Sequence, residues 1–391
     1  MDPASPRPGE DLPMSSPERL SASLSSLVLD PAWGLARARP RSERNRPPDY
    51  DERFDFHTLA YDTFFDEAEG LVCLYCPKLY NLEKLLRGSR IQADTQAAEI
   101  RSIRKFKKLD VVFLEAPPEA RTLSITGQGW RTEVPIQRQE LKSFEGKNCL
   151  LTLSKDNDLA WIRDWAEYHV TEHGAQGVLL FDNGSSAYGV EDLQTTFASV
   201  EDLEVFAVLS APFPHGASGR RPFWEPPSKF LQTSLLNLAH RRFLGSARAV
   251  LSVDVDELVW SKEGRSVFDE TASSPLGYLR ISGNWVFPAP DREGPCRHRD
   301  HLYSDSQGRE GREKWCVVPG GPLKGHYWDV HRIRGVWRKH LTASTRCRYW
   351  HFSHVSTDWK RNRRKVPRGA AVPDPFLAAT MARVFSPPPR E

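Results

Sequence analysis

The sequence predicts an α/β fold, a layered sheet flanked by helices, preceded by a smaller β-rich domain and a disordered N-terminal tail. Three observations predict it. From residue 148 to about 380, apolar strand-like runs alternate with helical patterns, the signature of a layered, largely parallel sheet. Over residues 54–147 short apolar runs are separated by turn residues, as in a small β domain. Residues 1–50 are rich in Pro, Ser and Arg, and their apolar cluster, Leu24 with Leu27, Val28 and Leu29, is too small to bury a core of its own.

In the β-rich segment, the run Leu71 to Tyr75 stops at Pro77, Leu109 to Leu114 stops before Pro117 and Pro118, and Thr122 to Thr126 stops at Gly127. No catalytic cluster stands out there, so the segment reads as an accessory module. The second segment opens with the strand Cys149 to Leu153. Ser154, Lys155, Asp156, Asn157 and Asp158 follow, residue types that cap helices. The helix they start runs to about His173, with Ile162, Trp165, Ala166 and His169 on one face, and Gly174 ends it. Gly177 to Phe181 is the next strand, with Asp182, Asn183, Gly184, Ser185 and Ser186 as its polar exit. Leu203 to Val208 is another strand, and Lys229 to Leu244 an amphipathic helix stopped by Gly245.

The run from Ala249 to Val259 carries the most chemical information. An apolar, β-branched stretch reaches Asp254, Val255, Asp256 and Glu257, and so delivers carboxylates to the C-terminal end of a buried strand. Ligands bind at that end of open α/β sheets, and clustered carboxylates suit a hard divalent cation. A solvated acidic turn would have the same composition. Alternation along a strand sets Glu257 opposite Asp256, which suits Glu257 to a structural hydrogen bond as well as to catalysis.

Composition narrows the class. A chain of 391 residues with net charge +3 is too balanced to argue for nucleic acid as its main partner. No apolar run reaches the length of a membrane span. Asp2, Glu10 and Asp11 argue against a transit peptide. Cys73 and Cys76 form one Cys-Xaa-Xaa-Cys without the second pair that zinc requires. They read as core residues, with a reducing cytoplasm as the default compartment.

Three segments then resemble a known family. Trp161 to His169, with Glu167, Tyr168 and His169 in sequence, Phe181-Asp182-Asn183-Gly184-Ser185, and Val253-Asp254-Val255-Asp256-Glu257-Leu258 are similar to GT-A glycosyltransferases of the family 2 and family 92 type. Gln232, Asn237 and Arg241 fall where that family's preceding helix carries polar residues. Lys314-Trp315, His326, and His351 with His354 and Ser356 resemble its later elements. Lys155-Asp156-Asn157 departs from the family's Lys-Asn-Glu, and Leu258 from its Phe.

The resemblance implies a GT-A mixed sheet and metal-dependent, inverting transfer of a sugar. The donor is a nucleotide sugar, a UDP-sugar in the first instance, and the acceptor a glycan or glycoconjugate hydroxyl. Mn²⁺ or Mg²⁺ would neutralise the leaving diphosphate. By the same resemblance Asp256 ligates the metal and Asp254 meets the ribose or the metal's waters. His326, ahead of His331 and His354, would supply a further ligand.

Asp182 and Asn183 suit the nucleoside, or form an Asx-turn with Gly184. Asp156 has the same two readings, and Lys155 could instead meet a phosphate. His169 reads as a packed or capping histidine. A general base near the acceptor could be Asp291, Glu293, Asp300 or Asp329. The basic run from Lys360 to Lys365 could approach a diphosphate, an anionic glycan or lipid headgroups. Among the tryptophans Trp285, Trp315, Trp328, Trp337 and Trp350, one or two could stack on a sugar while the rest fill the core. Two other functions compete. A sugar nucleotidyltransferase would want a glycine-rich loop after the first strand, and Ser154 to Asn157 is not one. A non-catalytic nucleotide-sugar or glycan-binding protein would keep the fold without turnover.

Overall fold

The computed structural model describes residues 16–217, 227–290, 292, 294–308, 310–336, 339–355, 357 and 367–385. Asp291, Glu293, Trp337, Ser356, the basic run 360–365 and the tail's acidic residues Asp2, Glu10 and Asp11 lie outside these. The elements that build the site are, in chain order, β1 (Glu18–Arg19), β2 (Asn148–Ser154), α1 (Leu159–His173), β3 (Gly177–Asp182), α2 (Val190–Ala198), β4 (Val205–Ser210), α3 (Leu231–Ala239), β5 (Ala249–Ser252), β6 (Glu257–Ser261), α4 (Val267–Ser273), β7 (Tyr278–Ile281), β8 (Gly283–Pro288), β9 (His301–Asp305), β10 (Lys314–Val317), β11 (Cys347–Phe352), β12 (Ala371–Pro373) and α5 (Pro375–Phe385).

The larger sheet is mixed and seven-stranded, in the order β1-β4-β3-β2-β5-β10-β7. Its strands β1, β4, β3, β2 and β5 run parallel, and β10 pairs antiparallel with β5 on one side and with β7 on the other. Both faces are covered, and the two-residue period of a strand divides its side chains between two cores. Leu150, Val178, Leu180 and Leu251 point into one core with Ile162, Trp165 and Tyr168 of α1. Cys149, Leu151, Leu179, Phe181 and Val250 point into the other with Leu235, Leu238 and Phe243. That is why these strands read as continuous apolar runs rather than alternating ones.

A second sheet of five strands has the order β6-β11-β8-β9-β12. The predicted strand from Ala249 to Val259 is therefore not one strand. It leaves the large sheet at Ser252, turns through Val253 to Asp256, and enters the second sheet at Glu257. The turn is closed by Glu257, whose backbone N–H donates to the Asp254 carbonyl (3.0 Å) and whose carboxylate accepts from the Asp254 N–H (2.8 Å). The opposed placement of Asp256 and Glu257 expected on a continuous strand is lost with the strand.

Residues 62–135 form two antiparallel four-stranded sheets, one containing Leu71–Pro77 and Leu109–Glu115, the other Thr122–Gly127 and Trp130–Pro135. Tyr61, just before the first sheet, and Phe64, Cys73 and Phe113 within it share a core with the large sheet. Asn237 donates to the Thr233 and Trp328 carbonyls, and Arg241 pairs with Asp66. These polar residues of α3 and its π-helical extension His240–Leu244 stitch the parts together.

The expected disordered tail is corrected from residue 16 onward. Glu18–Arg19 adds a strand to the large sheet, Leu27–Val28 pairs with Thr58–Ala60, and Leu27, Leu29 and Tyr50 are buried. The segment needs no core of its own because it completes those of others. Its buried Arg37 donates to the Lys78, Asp55 and Thr58 carbonyls. Arg242, buried against Asp62 (2.7 Å), donates in turn to the Ser23 carbonyl. All six cysteines are buried and free, Cys73 and Cys76 among them. Burial pushes both of those thiols upward. No helix among the described residues is long and apolar enough to cross a membrane.

Candidate functional site

Parallel pairing of β2 with β3 and of β2 with β5 brings the carboxyl ends of all three strands to one edge. Lys155 and Asp156 leave β2 there, Asp182 and Asn183 end β3, and the Asp254–Glu257 turn leaves β5. Three anchors fix that turn. The buried His298 ring bonds the Val255 carbonyl through Nε2 (2.9 Å), the Phe352 N–H donates to the Asp256 carbonyl (2.8 Å), and Glu257 holds Asp254 as above.

Register brings a histidine to the turn. In the second sheet Glu257 lies opposite His351, and His351 lies beside Trp285. Asp256, Glu257 and His351 consequently offer ligand atoms within 4.8 Å of one another, all three residues buried. His351 Nε2 lies 3.2 Å from Asp256, and its Nδ1 lies 3.4 Å from Glu257. Neither ring nitrogen forms a well-directed hydrogen bond. Trp285 stacks on the imidazole, with ring centres 3.8 Å apart and planes at 22°, and so fixes the ring's plane. Two carboxylates and an imidazole converging with unfulfilled nitrogens are a donor set that could hold a divalent metal ion.

A cation of the protein's own stands beside them. The Lys314 ammonium lies 2.7 Å from Asp254 and 2.7 Å from Glu257. Burial alone would push Lys314 down; Asp254 and Glu257 more than reverse this, and it stays charged. Asp254 is thereby engaged by Lys314 rather than joined to the group around His351.

Two other expectations about histidine change or sharpen. In place of His326, the imidazole beside Asp256 is His351. His326 instead lines a cleft with Phe106, Tyr327 and Arg241, where the antiparallel sheet of Leu109–Glu115 meets α3. His331 bonds the Glu313 carbonyl (3.2 Å), and His354 meets Ser353 (3.0 Å). His169 is a packed histidine: its Nε2 accepts from the Val259 N–H (3.3 Å) and its Nδ1 bonds the Trp165 carbonyl (2.8 Å). One turn along α1, His173 bonds the Val259 carbonyl (2.8 Å). Strand β6 is at the end of its sheet, and the two histidines together satisfy the N–H and carbonyl of its central Val259. Burial drives His169 down to about 3.

The other predicted residues build loops at the same edge. Asp182 accepts from the Ser185 N–H (3.1 Å) and its hydroxyl, and Ser185 Oγ accepts from the Asp156 N–H (2.8 Å). Asp156, at φ 51°, accepts from the Ser186 and Ala187 N–H groups. Asn183 donates to the Ala211 (2.7 Å) and Phe213 (2.8 Å) carbonyls. Lys155 has no ion-pair partner among the described residues, and its carbonyl accepts from the Thr357 hydroxyl (3.3 Å). Of the described base candidates, Asp300 pairs with Arg292 (2.9 Å). Asp329 is locked between Lys108 (2.6 Å) and Arg334. Those cations overcome its burial and hold it down at about 2. Glu257, discounted on strand parity, and His351, noticed only within a resemblance, are the residues that sequence reasoning underweighted. Their signal lay in a strand register that no local pattern displays.

No protein-family model matches the sequence, and no curated protein matches it. Among solved structures it is similar to an active-site mutant of LgtC, at 16% identity and a TM-score of 0.24, over 46% of this chain and 60% of that one. It is also similar to the galactosyltransferase LgtC with donor and acceptor sugar analogues, at 12% identity and a TM-score of 0.25, over 62% of this chain and 98% of that one. Likeness at that level leaves fold and function to rest on the residues themselves.

Proposed function

We propose that the chain is a metal-dependent glycosyltransferase that moves a sugar from a nucleotide-sugar donor, a UDP-sugar in the first instance, to a hydroxyl of a glycan or glycoconjugate, with inversion. The reading rests on one observation: Asp256, Glu257 and His351 converge, buried, at the carboxyl edge of a parallel sheet, with both His351 nitrogens lacking directed hydrogen bonds. Those three residues would hold Mn²⁺ or Mg²⁺. The bound cation would supply electrostatic neutralisation of a leaving diphosphate.

The protein's own groups do the rest. Asp156, Asp182 and Asn183 hold the two neighbouring loops in shape beside the donor, Lys155 is free to meet a phosphate, and Lys314 orients Asp254 towards the donor side. His298 and Trp285 fix the turn and the imidazole before substrate arrives, which is electrostatic preorganisation. A cytoplasmic location belongs to the same reading and is supported by six unpaired thiols.

The test is release of nucleotide from a panel of UDP-, GDP- and other nucleotide sugars with Mn²⁺, Mg²⁺ or EDTA, alongside Asp256→Asn. Metal-dependent release lost in the variant is the expected result. Absence of release from every donor, together with absence of nucleotide binding by the folded protein, overturns the proposal.

Lys314 favours a second reading. Its ammonium already answers Asp254 and Glu257, so the acidic turn can persist without a divalent ion. The chain would then bind a nucleotide sugar or glycan without turning it over. Saturable Mn²⁺ binding that Asp256→Asn removes selects the first reading, and donor binding unaffected by EDTA selects the second.

A further inference from the structure

Away from the Asp256 group, a cavity of about 390 Å³ opens beside β7, lined by Tyr278, Arg280, Arg332, Ile333, Arg334 and Gly335 among others. Three of these side chains are guanidinium groups. Their placement around one cavity is built by the backbone. The hairpin that pairs Trp328–Asp329 with Arg332–Ile333 is pinned onto β7 by the Ile333 N–H, which donates to the Tyr278 hydroxyl (3.1 Å). Ile333 is buried, so Arg332, its neighbour on the same short strand, turns the other way, and Arg334 follows in the turn. Gly335, at φ 86°, ends the hairpin.

Charge around the cavity is left uneven. Arg280 is only 7% exposed and sends Nη2 to Glu313, while its Nε is buried and meets no acceptor. Arg334 shares Asp329 with Lys108. Arg332 is exposed and has no ion-pair partner among the described residues. Of the three arginines lining the cavity, Arg280 and Arg334 are paired with Glu313 and Asp329 and Arg332 is left over. Arg332 thus offers an unpaired guanidinium at the cavity, and an oxyanion is the ligand whose geometry satisfies forked N–H donors.

We propose that this cavity is an oxyanion site, taking a phosphate or sulfate group on Arg280, Arg332 and Arg334. Its volume falls within the range of small-molecule sites, roughly 300–1,000 Å³, so it accommodates the group either as a free ion or as an ester on a sugar. The proposal stands apart from sugar transfer and does not depend on it.

The experiment titrates the intact protein, at a fixed physiological chloride concentration, with inorganic phosphate, inorganic sulfate, a hexose 6-phosphate and the unphosphorylated hexose. Calorimetry is read beside NMR of the arginine Nε–H signals. Saturable binding of inorganic phosphate or sulfate is expected, with a shift of the Arg280 Nε–H and at least about tenfold weakening in Arg332→Gln, the loss of one charge-assisted contact. Arg332 is exposed, so the variant keeps its fold, which its thermal unfolding checks. Tighter binding of the hexose phosphate than of inorganic phosphate identifies an ester as the source, and equal binding identifies the free ion. Absence of saturable binding by any of the anions, or binding unchanged in Arg332→Gln, overturns the proposal.

Discussion

Asp256, Lys314 and His169 show how burial decides what a charged residue can do. Asp256→Asn keeps the shape of the turn but removes a charged ligand atom. It is expected to weaken Mn²⁺ binding at least about tenfold, as followed by electron paramagnetic resonance of the free ion, with unfolding little changed. Lys314→Met is expected to act on stability instead. It leaves Asp254 and Glu257 facing each other without their shared cation, a loss on the order of 3–5 kcal/mol for a broken buried pair, measurable by urea denaturation. His169 carries a pH dependence. Its folded value of about 3 lies below the ordinary 6.5, so its contribution is complete above about pH 6.5 and is lost as pH falls from there toward 3. Each pH unit in that window costs about 1.4 kcal/mol. Burial likewise lowers His240, His301 and His331 to about 4, and their losses fall between pH 6.5 and 4. Urea midpoints are expected to drop between pH 7 and 5. His169→Leu is expected to lower stability at pH 7 by about 1–3 kcal/mol, through the orphaned Val259 N–H, and to flatten that drop.

At the scale of elements, local pattern and register carry different kinds of information. The apolar runs at Cys149 to Leu153 and Gly177 to Phe181, and the helix closed by Gly174, were legible because each depends on neighbours in sequence. The break at Ser252 was not, because Val253 and Val255 are as apolar as strand residues while their surroundings come from two different sheets. The pairing of Glu257 with His351 was equally invisible, since it depends on the 93 intervening residues, 258–350, finding one register. Gly283 shows how tight that register is. A Cβ there would lie 2.3 Å from the Tyr349 ring, whose hydroxyl is held by the Arg312 carbonyl. Gly283→Ala is expected to cost on the order of 1–3 kcal/mol in a thermal or urea melt. Because β8 carries Trp285, the same change is expected to weaken any metal held by His351.

The molecule as a whole is bound together by polar links between distant segments as much as by its cores. Composition reads residues 1–50 as too poor in apolar residues to bury a core, but could not show that Arg37 and Arg242 would tie residues 16–50 down. Arg242→Met leaves Asp62 buried beside an apolar side chain. A loss on the order of 3–5 kcal/mol is expected, with the segment around Ser23 becoming the first point of proteolytic cleavage. The resemblance that pointed to Asp256 also covered Lys314 and His351, yet nothing short of three dimensions could show that His351 faces Asp256 while Lys314 answers Asp254 and Glu257.

The histidine pair on α1 has a consequence for assembly. An exposed strand edge is a template on which foreign chains can zip, the first step toward fibrils. Val259 has its N–H and carbonyl taken by His169 and His173. At the other edge of the same sheet, β12 ends in Pro373, which has no N–H to offer. Acidification that protonates His169 would remove the acceptor of the Val259 N–H and unseal that donor on the first edge, while His173 would go on donating to the Val259 carbonyl.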